Sequence, residues 1–297
     1  MIRNWFRQYF CALFVVCILA GQGAAEQGVW REANYEGVKV AYLEVGRPDA
    51  TALVFIHGWS GDALSWRLQI PEFSKSYRVI ALDLPGCGKS DKPHDRAYTL
   101  EFFANAVHAV IQDAKATSPV LIGHSMGHSV IRQYLIAFPG AVRGVVNVDG
   151  AHFRIPDTAE ARAGLEKRID DMVASFEGPD RKEAVRRFIE SISYGKTPEA
   201  LQTEIIAAVS SADVYAANSA YRELTRLDQW KEMSFDVPSL ALYVKADHLP
   251  PDHEAFMRRA FPRLTYVIWD DTGHFPMLEK PQRFNTVLNN FLNLLSR

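Results

Sequence analysis

A mostly parallel α/β sheet with helices on both faces, broken once by an all-helical insertion, is the architecture this 297-residue chain predicts. Three observations carry the prediction. Short apolar and β-branched runs recur with helix-periodic stretches between them. Most of those runs are continuous rather than alternating, the pattern of strands covered on both faces. The alternation then stops after Asp149, and no strand pattern appears from about Ile155 to Trp230.

In chain order, Glu36-Gly37 suits a hairpin turn into VKVAYLEV, from Val38, which alternates as a half-buried strand does. ALVFI from Ala52, RVIAL from Arg78, VLI from Val120, VRGVVNV from Val142, LALYV from Leu240 and LTYVIW from Leu264 follow as strands. LEFFANAVHAVI from Leu100 and SVIRQYLIAF from Ser129 have helical periodicity, so the strands are joined by βαβ crossovers. In the insertion, Leu165, Ile169, Met172, Val173 and Phe176 share one helical face. Val185, Phe188, Ile189 and Ile192 share a second, and Leu201, Ile205 and Val209 a third. That spacing predicts roughly four helices, and helical insertions beside a cleft shape a pocket and exclude water.

Composition narrows the function. Hydrophobic residues make up 48% and charged residues 23%, as in an ordinary globular protein. The net charge is −2 with no basic stripe to neutralise phosphates, which argues against a nucleic-acid partner. At the N-terminus, Arg3 and Arg7 precede the apolar CALFVVCILA and then Gly21, Gly23, Ala24 and Ala25, the layout of a secretory signal peptide cut after Ala25. The other reading is a membrane anchor left in place. The apolar stretch is shorter than the roughly 20 residues of a bilayer span, which favours cleavage, and no stable membrane span is expected once the segment is removed. Removal leaves 31 basic against 35 acidic residues and takes Cys11 and Cys17 with it. Cys87 then stands alone, without a disulfide partner and without a histidine beside it, and reads as a loop residue. Export to a bacterial periplasm is the expectation, with secretion as the other destination.

The chemistry concentrates at Gly-His-Ser-Met-Gly, Gly123 to Gly127, between a strand and a helix. This is the pattern of a nucleophile elbow, a turn so tight that only hydrogen fits beside the serine. It sets Ser125 at a helix N-terminus, where free N–H groups favour a developing oxyanion. A serine hydroxyl needs a base, and the base needs an orienting acid. His274, in the DTGHFP loop after the last strand, is the best base among nine histidines. For the acid, Asp247 follows LALYV at the carboxyl edge of the sheet, and Asp149, ending VVNVDG, is its rival. The backbone N–H groups of Trp59, in FIHGWSGD, and of Met126 are the expected oxyanion donors. His57, Phe153 and Phe275 stand beside these residues in sequence and are candidates to bind substrate, while His124 and His128 flank the elbow and pack or line the pocket.

Taken together, HGW from His57, DLPGCGKSDKP from Asp83, GHSMG from Gly123, KAD from Lys245 and DTGHFPMLEKP from Asp271 resemble, in order, the sequence blocks of the α/β-hydrolase superfamily. The resemblance is to the group with a helical cap between the sixth and seventh strands, and it covers the chain from about Val29 onward. It implies an eight-stranded, mostly parallel sheet, no metal and no organic cofactor. It carries over a triad of Ser125, His274 and Asp247, with Trp59 and Met126 lending backbone donors, and gives the loop from Asp83 to Pro93 a structural role. The implied organisation is a signal peptide over 1–25, a first core part over 26–152, a cap over 153–235 and a second core part over 236–297. Dehalogenases and epoxide hydrolases of this superfamily carry an aspartate at the elbow; the serine here favours attack on an acyl carbonyl.

Hydrolysis of a carboxylic ester or lactone of a small, largely apolar molecule is therefore the leading expectation. The elbow alone does not separate this from cleavage of a C–C, amide or thioester bond, nor from a catalytically silent ligand-binding protein on the same fold.

Overall fold

The computed structural model describes residues 28–246 and 249–296. Eight strands form one sheet: β1 (Val29–Tyr35), β2 (Val38–Val45), β3 (Ala52–Ile56), β4 (Arg78–Leu82), β5 (Val120–His124), β6 (Gly144–Val148), β7 (Ser239–Val244) and β8 (Leu264–Trp269). Their order across the sheet is β1-β2-β4-β3-β5-β6-β7-β8. Pairings of β2 with β1 and β4 are antiparallel, and all others are parallel. The mostly parallel sheet is as expected, and β2 to β8 fall on the seven runs read as strands; β1, mostly exposed and not an apolar run, was not among them.

The continuous runs have the cause inferred for them. All five residues of β3 are buried, yet Leu53 and Phe55 belong to one core and Val54 and Ile56 to the other, because successive side chains leave a strand on opposite faces. The first core lies under α2 (Leu100–Asp113), α3 (Met126–Ala137) and α8 (His253–Ala260). The second lies under the short α1 (Ile70–Phe73) and, at the C-terminus, α9 (Pro276–Glu279) and α10 (Pro281–Leu295). Local signals start the crossover helix cleanly: the Thr99 hydroxyl accepts from the Phe102 N–H at the head of α2.

Four helices lie between β6 and β7: α4 (Ala159–Glu177), α5 (Arg181–Ser193), α6 (Glu199–Ser210) and α7 (Val214–Thr225). They have a core of their own, built on Phe176, Val185, Ile189, Ile205 and Val209. The apolar face read along α4 is buried only at its C-terminal end, at Val173 and Phe176; Leu165 and Ile169 are half-buried. Periodicity reports which residues share a face but not how far along the helix a partner reaches, and α4 meets α5 and α7.

The segment read as a signal peptide, residues 1–25, lies outside the described residues, as does Asp247. No helix among the described residues is long and apolar enough to cross a membrane.

Candidate active site

Between the carboxyl ends of the central strands and the four inserted helices lies a cavity of about 480 Å³, lined by both Ser125 and His274. Ser125 joins β5 to α3 at φ 51° and ψ −119°, a backbone region that costs a non-glycine residue on the order of 1–3 kcal/mol. Its N–H donates to Val148 O at 3.1 Å, and its carbonyl accepts from His128 and Ala151 at 3.1 and 3.2 Å. The elbow is thus bonded to the end of β6 and the turn after it.

The two flanking glycines have a steric cause. A Cβ on Gly123 would lie 2.5 Å from the backbone carbon of Gly127, and one on Gly127 would lie 2.4 Å from Ile56 O. No side chain could move to relieve either clash, since the obstacle in each case is backbone. The strand-turn-helix can pack against β3 only with hydrogen at both places.

His274 occupies the loop after β8. Its Nδ1 lies 2.6 Å from Asp149 Oδ2, with the imidazole and the carboxylate only 13% and 8% exposed. Asp149 is itself pinned: its N–H donates to Leu242 O at 2.7 Å and its Oδ1 accepts from Val244 N at 3.0 Å. Its φ of 44° turns the chain sharply off β6. The turn is braced by Asn147, which accepts from Gly150 N at 2.7 Å and donates to Tyr243 OH at 2.7 Å. The expected first-choice acid, Asp247, lies outside the described residues, and the carboxylate that meets His274 is the rival, Asp149. With Nδ1 committed to that carboxylate, Nε2 is the nitrogen left to exchange a proton.

Trp59 lines the same cavity as Ser125. Met126 is the first residue of α3, whose opening N–H groups have no acceptor within the helix. Gly58 holds the Trp59 segment against the elbow, since a Cβ there would lie 3.1 Å from Ser125 Cβ. The Trp59 indole reaches into the inserted helices. Its Nε1–H donates to Ala217 O at 2.7 Å, and its ring packs on Phe176, Phe188 and Tyr221 at centroid distances of 4.9 to 5.5 Å.

Other sequence candidates fall differently. Phe275 lines the cavity. His57 does not: it is fully buried, Nε2 accepts from Leu84 N at 2.9 Å, and Nδ1–H donates to Gly58 O at 2.7 Å. Burial keeps its imidazole neutral, and it is a brace between two loops rather than a substrate contact. Phe153 is also remote from the cavity; it packs on Trp230 and lines a separate cleft. His57 directly follows β3, whereas Phe153 lies in the irregular segment that leads from β6 to the inserted helices. His124 lines the cavity with Nε2 2.8 Å from His274 O, whereas His128 turns to the far side and meets His152.

Around the site, Asp83 accepts from Ala63 N and Lys89 N, both at 2.7 Å, as a buttress, while Gly86, Cys87 and Gly88 of the same loop reach the cavity wall. Burial pushes the Cys87 thiol up to about 12, with Asp83 adding to it, so it stays protonated and unreactive near neutrality. Among the described residues, no three His, Cys, Asp or Glu side chains gather as metal ligands.

Sequence reading passed over Tyr194 and Glu279. Tyr194, at the end of α5, lies near enough to Asp149 that the carboxylate, after burial, helps raise its phenol. Glu279 accepts from the amides on either side of His274. Glu279 was visible within the DTGHFPMLEKP block as a carboxylate five residues past the base; nothing local could have linked Tyr194 to the site.

With the geometry in place, comparison with known proteins is direct. Residues 51–281 match the model of the alpha/beta hydrolase fold. Over 253 residues the chain is 26% identical to AB hydrolase superfamily protein YisY of Bacillus subtilis (strain 168), covering 84% of this chain and 92% of that one. Over 117 residues it is 29% identical to Epoxide hydrolase 4 of Mus musculus, covering 39% of this chain and 33% of that one. The structure of the esterase RhEst1 from Rhodococcus sp. ECU1013 matches with a TM-score of 0.71 at 25% identity, over 90% of this chain and 99% of that one. Sheet order, elbow and a sequence match running from β3 to α10 agree, and the chain belongs to the alpha/beta-hydrolase fold family.

Proposed function

We propose that the protein is a serine hydrolase that cleaves a carboxylic ester or lactone of a small, largely apolar molecule, with Ser125 as nucleophile, His274 as base and Asp149 as the orienting acid. The observation that carries this reading is a single cavity lined by a strained elbow serine and by a histidine whose Nδ1 is held at 2.6 Å by a buried carboxylate.

In the first half-reaction His274 Nε2 takes the Ser125 proton while Oγ attacks the acyl carbon. The carbonyl oxygen gains the negative charge and accepts from the Trp59 and Met126 amides, each such donor contributing about 3 kcal/mol to the barrier reduction. The imidazolium, stabilised by Asp149, then protonates the departing alcohol, leaving an ester on Ser125. Water follows the same path: His274 takes its proton, its oxygen attacks the acyl-enzyme, and the carboxylic acid leaves as Ser125 Oγ is reprotonated.

The apolar cavity wall supports a largely apolar substrate: Phe188, Ile189, Ile192 and Ile205 of the insertion face Phe275 and Leu278 of the core. On this reading residues 153–235 act as a cap that excludes water from the acyl-enzyme. Epoxide opening is disfavoured because the elbow offers a hydroxyl where attack on a saturated carbon needs a carboxylate. The N-terminal pattern of Arg3, Arg7 and the apolar run supports export, which cell fractionation tests.

A fluorophosphonate probe is expected to label the folded protein at Ser125, with Ser125→Ala abolishing the label. Short p-nitrophenyl esters and lactones are expected to be turned over in preference to an anilide. A folded wild-type protein that resists the probe, or labelling that survives Ser125→Ala, overturns the assignment.

A further inference from the structure

Three consecutive amides carry the loop that holds His274, and none of them donates to the sheet. Gly273 N–H donates to Glu279 Oε2 at 2.7 Å, and Phe275 N–H donates to Glu279 Oε1 at 3.2 Å. His274 N–H, between them, donates to Ile192 O at 3.2 Å, in the last turn of α5. The Thr197 hydroxyl, in the link from α5 to α6, donates to Glu279 Oε1 at 2.9 Å. A carboxylate in α9 and two residues of the inserted helices thus suspend the backbone of the base.

The approach is close enough to constrain sequence. A Cβ on Gly273 would lie 2.3 Å from Thr197 Oγ1 and 2.7 Å from Ser193 O, so the loop and the insertion meet backbone to backbone. The link that makes this contact is bent sharply: Tyr194 and Gly195 have φ values of 51° and 66°. A tyrosine in the left-handed region is strained, which the docked turn must offset. Lys196 Nζ donates to Lys245 O at 3.0 Å, anchoring the same link to the end of β7.

We propose that Glu279, gripped by Thr197, is a positioning residue that fixes His274 for proton transfer, and that the inserted helices are thereby part of the base's support rather than only a cover for the pocket. The inference rests on the reading of His274 as base. Its physical content is geometric: Glu279 fixes the loop on both sides of residue 274, and Thr197 fixes Glu279. Releasing Thr197 lets the carboxylate rotate, and the imidazole shifts with the loop. A displacement of about 1 Å can cost a reaction up to 10²-fold.

The test compares Thr197→Val, which keeps the shape and removes the hydroxyl, with Thr197→Ser, which keeps the hydroxyl. Glu279→Gln is the stronger variant, since an amide offers one acceptor oxygen where the carboxylate offers two. The readouts are kcat and KM on p-nitrophenyl acetate, the rate of fluorophosphonate labelling, and Tm. Thr197→Val is expected to lower kcat and the labelling rate about tenfold, with KM and Tm near wild type, and Glu279→Gln to lower them further. Thr197→Ser is expected to restore most of the loss. The proposal is overturned if Thr197→Val retains wild-type kcat, if Thr197→Ser is equally impaired, or if the loss falls in KM alone or simply follows Tm. His274→Ala separates the two levels: if it retains activity, the reading of the base fails; if it is inactive while Thr197→Val is unaffected, only the positioning role fails.

Discussion

Two of the concavities among the described residues, each of about 480 Å³, set a histidine beside aromatic rings. One contains His274 and Ser125. The other lies where the chain leaves the core for the inserted helices and returns from them, and contains His152 with Phe153, Trp230 and Phe256. The two imidazoles differ in what meets Nδ1. For His274 it is a buried carboxylate at 2.6 Å, and for His152 it is another imidazole, His128 Nε2, at 3.3 Å. Burial, aided by the nearby Arg132 guanidinium, lowers His152 to about 3. A histidine in a cleft is therefore not by itself a base. The paired carboxylate makes the difference, since it fixes the tautomer and supports the cation formed when a proton arrives.

The sharpest way to break this comparison is to remove the carboxylate's charge. Asp149→Asn is expected to lower kcat by about 10³- to 10⁴-fold while leaving the fold intact, because an amide at that place favours the wrong tautomer of His274. Asp247→Asn is expected to remain near wild type. The reverse ranking in an ester assay would move the acid to position 247 and undo the contrast as drawn.

The next largest effect concerns how the inserted helices are held beside the cavity of Ser125. Trp59 enters the core of the inserted helices and donates to Ala217 O. Trp59→Ala is expected to destabilise the protein by about 3 kcal/mol in chemical denaturation. A change well under 1 kcal/mol would show that the insertion holds its place without this anchor.

A smaller effect concerns the buried histidines. His57, His124, His128 and His152 are all lowered from their ordinary value, with burial the leading cause in each. In the unfolded chain they bind protons below about 6.5, and in the folded protein they do so only at lower pH. Proton uptake therefore favours the unfolded state as pH falls below about 6.5 toward the folded values, and stability is lost in that direction. The denaturation midpoint is expected to be lower at pH 5 than at pH 7. An equal or higher midpoint at pH 5 would contradict the assignment of these rings as neutral packing groups. Least of all should change with His152→Gln, whose ester turnover is expected to match wild type.

The strands and the elbow were legible because their causes are local. Alternation or continuity of apolar residues follows from where successive side chains point, and the glycines at 123 and 127 follow from the width of one turn. His274 was legible for a related reason, as the histidine in the loop after the last strand. The acid was not. Asp149 and Asp247 both follow strands that are neighbours in the sheet, and sequence places both at the same edge. Asp149 reaches His274 through the turn after β6, where at φ 44° it is tied to β7 by its amide and by Oδ1.

The same division runs through the molecule. By itself the sequence determined that a mostly parallel sheet would form, that helices would interrupt it after β6, and that a serine would stand on a strained turn, because each depends on residues within a few positions of one another. Tertiary structure alone decided that His57 and Phe153 lie outside the cavity lining, that Asp149 holds the His274 imidazole, and that Ile192 and Thr197 of the insertion support the loop of His274. These depend on which strand ends and turns meet across the carboxyl edge of the sheet. Such meetings join residues 80 or more positions apart, for which no periodicity exists to be read.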